Sequence, residues 1–103
     1  MKSIFPDIDK SKLDDFYILI GKNVKRIRTE KKLSQLELAI MIGQKSTSFY
    51  SNCENYKNKE HFNLEHLFLI SNTLNVDLSE FFKDIWNYPL LFFRISLFLV
   101  LSI

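Results

Sequence analysis

Glycine and proline are scarce in this chain, two of each in 103 residues, and that removes most of the turns a many-stranded β-fold would need. Helices are the expectation. A single cysteine, Cys53, rules out an internal disulfide and suits a reducing, cytoplasmic compartment. The opening MKSIFPDIDKSKLDD has no apolar core behind its lysine, so no secretory signal is expected. Also missing are a nucleophile with its base, paired carboxylates and a phosphate-cradling glycine loop, so no enzyme is expected. His61 and His66 stand five apart, off a shared helix face. With Cys53 and Glu65 they match no metal-site spacing, so neither metal nor cofactor is expected.

What the chain does have is apolar mass. Hydrophobic residues make up 47% of it and aromatics 15%, enough to bury one compact core. Its charge is unevenly placed. Residues 22–59 hold nine basic side chains against three acidic ones, a balance of +6, which leaves −4 for the rest of a chain whose formal charge is +2. A basic middle between acidic flanks is the pattern of a polyanion-binding surface, and equally of a lysine-rich solvated helix face. Within that middle, residues 42–54 read IGQKSTSFYSNCE, with one lysine, no arginine and a run of hydroxyl and amide side chains.

Five helices are predicted. The first spans residues 11–31, with Ser11 as N-cap, Asp14 three later, and an apolar stripe of Leu13, Phe16, Tyr17, Ile20, Val24 and Ile27. The second opens with Ser34 and Glu37 as a capping box, carries Leu36, Ala39 and Ile40, and stops at Gly43. The third begins at Ser46 or Thr47 with Tyr50 and Cys53 inward and Phe49 at one margin. The fourth starts at the cap Asn63 and bears Leu64, Leu67, Phe68, Ile70 and Leu74, and the fifth starts at Asp77. Three segments follow from this: an N-terminal extension (1–15), a helical domain (16–85) and an apolar tail (86–103). In the tail, residues 90–103 would make roughly 21 Å of helix, short of a bilayer core of roughly 30 Å. Arg94 inside the run disfavours insertion further. The tail is read as a helix packed on the domain or across a dimer, or as a sticky appendage.

The helix pair opening LSQLELAIMIG, with IGKNVKRIR before it and LEHLFLISNTLNVDLSEFF after it, resembles the phage-repressor (Cro/XRE-type) helix-turn-helix family over residues 20–82. The resemblance implies an all-α, five-helix, lambda-repressor-like DNA-binding domain whose third helix (about 47–55) lies in the major groove. Gln35, at the start of helix 2, would then meet a phosphate. One departure matters: Gly43 to Glu54 is eleven steps where the commoner family spacing is ten. Anchoring on Glu54 turns Tyr50 and Cys53 inward, whereas anchoring on Gly43 sends Phe49 and Asn52 inward. The first is preferred, since a core Asn52 would need hydrogen-bond partners not in evidence.

On that register Thr47, Ser48, Phe49 and Asn52 are the expected base contacts, because asparagine pairs with adenine and Phe49 suits a thymine methyl. The lack of arginine points to an A·T-rich operator. Lys22, Arg26, Lys45, Lys57 and Lys59, with Gln35 and Ser46, are the expected phosphate contacts. A homodimeric transcriptional repressor is the leading expectation. The alternative is an antitoxin-like interaction module, with a toxin-like protein partner docking on the terminal segments.

Overall fold

The computed structural model describes residues 10–85. Four α-helices are present: α1 (Lys10–Glu30), α2 (Gln35–Met41), α3 (Thr47–Asn55) and α4 (Leu64–Leu74). Two 3-10 turns, Lys57–Lys59 and Leu78–Phe82, complete the order, and no strand occurs among the described residues. The predicted fifth helix is therefore a single tight turn. Asp77 caps it as expected, accepting the Ser79 N–H at 2.8 Å. The expected tail helix, with its packing or dimer role, lies outside the described residues.

Lys10, the first described residue, is already helical, so Ser11 lies inside α1, which runs unbroken through residue 15. Asp14 serves another end: it accepts the Tyr56 hydroxyl at 2.5 Å. Ile20, Val24 and Ile27 form the inner stripe as predicted and Leu19 joins them, while Leu13 is 42% exposed.

α2 has its full capping box. Ser34 Oγ accepts the Glu37 N–H at 3.0 Å, and Glu37 Oε1 accepts the Ser34 N–H at 3.1 Å. Gly43 stops the helix at φ +83°, a conformation that glycine adopts without penalty. The inward ridge, however, is Leu38, Ala39 and Ile42, whereas Leu36 and Ile40 are exposed at 52% and 62%. Leu36/Ile40 and Leu38/Ile42 are both i,i+4 pairs, so spacing alone does not choose between them. α4 needs a similar correction. Leu67, Ile70 and Leu74 are buried, but Leu64 and Phe68 face out.

The core joins all four helices with Phe62 and Phe81. Buried polar contacts fix how they cross. The Asn23 amide donates to the carbonyls of Phe81 and Lys83, each at 2.9 Å, and ties α1 to the terminal turn. At Gly21 the backbones of α1 and α3 nearly touch: a Cβ there would collide with the Glu54 carbonyl oxygen.

Candidate nucleic-acid interface

α3 is fixed from beneath by a buried ion pair. Arg28 reaches across from α1 and grips Glu54 with two bonds, Nε to Oε2 at 2.9 Å and Nη2 to Oε1 at 2.8 Å. Its remaining nitrogen donates to the Leu33 carbonyl at 2.7 Å, and Gln35 Nε2 donates to Glu54 Oε1 at 3.1 Å. One carboxylate thus links α1, the loop into α2, the first residue of α2 and the end of α3. Burial works against charge on Glu54, the hydrogen bonds from Arg28 and Gln35 work for it, and the balance holds its pKa below the usual carboxylate value. The Glu54 carboxylate in turn raises the pKa of Arg28. Burial pushes the Cys53 thiol up to about 12, so it is a packing residue with no thiolate at neutral pH.

The register follows directly. Tyr50, Cys53 and Glu54 are inward at 0%, 1% and 4% exposure, which is the arrangement that anchors on Glu54. At about 100° per residue, Ser48, Ser51, Asn52 and Asn55 then share the opposite face. Ser48 and Asn55 are exposed, and Ser51 and Asn52 are half-buried. Thr47 sits half-buried in the first turn. Phe49 lies to one side, 39% exposed, with its ring edge-on to His66 at 5.5 Å between centroids. Asn55 is an outward residue that the sequence reading passed over; its Nδ2 donates to the Ser51 carbonyl at 3.0 Å. A count of four from Ser51 on the same register would have found it.

The basic candidates divide into two groups. Lys45 and Ser46 are exposed at the entry to α3, and Ser46 occupies the N-cap position without a side-chain hydrogen bond. Lys57 and Lys59 are exposed just past its other end, so lysines bracket the neutral face at both ends. Lys59 makes a 3.6 Å contact with Asp14 that is 72% exposed on the lysine side, a pairing solvent renders weak. Lys22 and Arg26 belong to a different surface of α1. Arg26 pairs with Glu30 at 3.2 Å and with Glu80 at 3.5 Å, beside the terminal turn. By helical angle Lys25, not Lys22 or Arg26, lies next to the stripe that meets α3. Gln35 is partly committed to Glu54, although a primary amide has a second N–H to offer.

The turn after α3 holds its shape against backbone preference. Tyr56, Asn58 and Lys59 all have φ between 53° and 59°, a left-handed conformation disfavoured for side chains. Tyr56 is held there by the Asp14 bond and by its ring stacked on Tyr17 at 5.9 Å.

A short helix set between lysines, its neutral polar face outward, and buttressed by a second helix across a glycine turn is the geometry of major-groove insertion. A family model described as helix-turn-helix matches residues 24–81, more than half of the chain. The protein belongs to the Cro/XRE-type helix-turn-helix family. Comparison with curated proteins and with solved structures gives no match. The Cro/XRE-type assignment makes this chain a DNA-binding transcription regulator, and the family is not an enzyme family. Among the described residues no helix is long and apolar enough to cross a membrane, and no side-chain cluster has the makings of a metal site.

Proposed function

We propose that the protein is a repressor that occupies an A·T-rich operator as a homodimer, with α3 in the major groove. Ser48 and Asn52 read base edges, Asn52 by a bidentate pairing with adenine, and Thr47 and Phe49 contact the margins of the same half-site. Lys45 and Ser46 at one end of α3, and Lys57 and Lys59 at the other, bind the flanking phosphates and set the register on the duplex. Gln35 adds a phosphate contact from α2. Lys22 supplies long-range attraction from α1, whereas Arg26 is taken up by Glu30 and Glu80. The observation that carries this reading is the outward placement of Ser48 and Asn52 on a helix whose inner side is locked by Arg28 and Glu54.

The test is a salt titration of binding to duplex taken from the gene's own upstream region, with a scrambled duplex as control. Preference for the upstream duplex, with affinity falling steeply as salt rises, supports the proposal. Equal weak binding to both duplexes overturns it and brings forward the interaction-module alternative. Replacing Asn52 with Ala is expected to cost about 1–3 kcal/mol at one base position and relax selectivity there. Replacing Lys45 is expected to weaken all sequences alike and reduce the salt slope by about one unit.

A further inference from the structure

An apolar groove of about 270 Å³ opens between α1, the start of α4 and the terminal turn. Phe16, Tyr17, Ile20, Phe62, Leu67 and Phe82 wall it, and Leu64 stands at its rim. Its polar side chains are already engaged. The His61 ring stacks on Tyr17 at 3.8 Å, and the Asn63 side chain accepts the His66 N–H at 2.8 Å. Little is left to orient a polar small molecule, and the volume falls short of the roughly 300–1,000 Å³ usual for such ligands. Apolar side chains suit it better. The same surface continues along α4, where Leu64 is 74% exposed and Phe68, one turn on, is 62% exposed.

The chain carries a matching occupant. Four residues past Phe82 it enters residues 86–103, and from Leu90 to the end only Arg94, Ser96 and Ser102 are not apolar. We propose that this segment folds back onto its own domain, fills the groove and covers Leu64 and Phe68. Reach is no obstacle, because Phe82 lines the groove that the segment must enter. Tethering favours the same chain over a second copy: a segment on a short linker meets its site at an effective concentration of about millimolar, above that of free protein in ordinary solution. Leu64 and His66 leave α4 on opposite flanks, and it is His66 that meets Phe49 of α3. A covered groove therefore leaves the outward face of α3 free for DNA.

Cysteine pairs in the full chain test this. Leu64→Cys alters an exposed side chain, and the native Cys53 is buried and does not compete. Leu64→Cys is combined in turn with Leu90→Cys, Ile95→Cys or Leu97→Cys, and dilute protein is oxidised. Lys25→Cys, on an exposed part of α1 remote from the groove, replaces Leu64→Cys in the control set. An intramolecular disulfide that forms about tenfold faster with Leu64→Cys than with Lys25→Cys, for at least one segment position, is the expected result. Equal rates from both anchors overturn the proposal, since they describe indiscriminate collision. Disulfide-linked dimers formed in place of the intramolecular product overturn it in favour of a second copy. Absence of any linkage overturns it outright.

Discussion

The two halves of the helix pair are held by different means. α2 is fixed by its own sequence: Ser34 and Glu37 satisfy its first N–H groups, and Gly43 ends it. α3 has no side-chain cap at Ser46 and ends on a left-handed tyrosine. Its position comes from elsewhere, through Glu54 to Arg28 twenty-six residues away and through Gly21, which lets the backbones meet. A helix that is secured locally tolerates damage at its far contacts, and a helix secured at a distance does not. α3 is the second kind.

The sharpest way to break that contrast is Glu54→Ala. It leaves the Arg28 guanidinium buried without its partner, and a loss of about 3–5 kcal/mol in denaturant unfolding is expected, with DNA binding lost as α3 shifts. Replacing both residues with apolar side chains of similar size should return much of the stability, since the pair opposes its own desolvation. Gly21→Ala comes next. The added methyl would meet backbone rather than a yielding side chain, and about 1–3 kcal/mol is expected from the same measurement. Ser34→Ala should cost only about 1 kcal/mol and leave sequence preference unchanged, because α2 loses one cap bond and keeps its tertiary contacts.

The smallest effect concerns α4, where His66 takes the place of the usual glutamate in the capping box. Its Nδ1 accepts the Asn63 N–H at 3.1 Å, a bond open only to the neutral ring. Burial lowers the pKa of His66 despite the Glu65 carboxylate beside it. A folded pKa below the unfolded value means that this contribution is complete above about pH 6.5 and is lost as pH falls through the lower folded value. Thermal melts between pH 7 and 5 should show that loss, and His66→Gln, which keeps an acceptor without titrating, should flatten it.

How much of this was legible depended on the range of the signal. Capping boxes are local, so Ser34/Glu37 and Asn63 could be read from the sequence, and the polarity of Asn52 was enough to choose the register of α3. The Arg28–Glu54 pair could not be read in the same way. Arg28 entered only the charge count until the crossing of α1 and α3 gave it a partner, and Arg26 looked available until Glu80 arrived from the terminal turn. Amphipathic counting failed where a short helix offered two apolar ridges, as with Leu36/Ile40 on α2 and Leu64/Phe68 on α4. Which ridge is buried is settled by neighbours distant in the chain. Ser11 lies inside the helix it was expected to cap, and the fifth helix shortened to a turn, because ends are the weakest part of any periodic pattern.

Burial of the Arg28–Glu54 network has one more consequence, which concerns how such a protein changes over time. The side chains that hold α3 in place and those on its outward face are separate sets, sharing a helix but no hydrogen bond. Ser48 and Asn52 are thus open to substitution without disturbing the scaffold. On the proposed reading of α3, a lineage built on this arrangement can exchange one operator for another by a few surface replacements, while Gly21, Arg28 and Glu54 stay as they are.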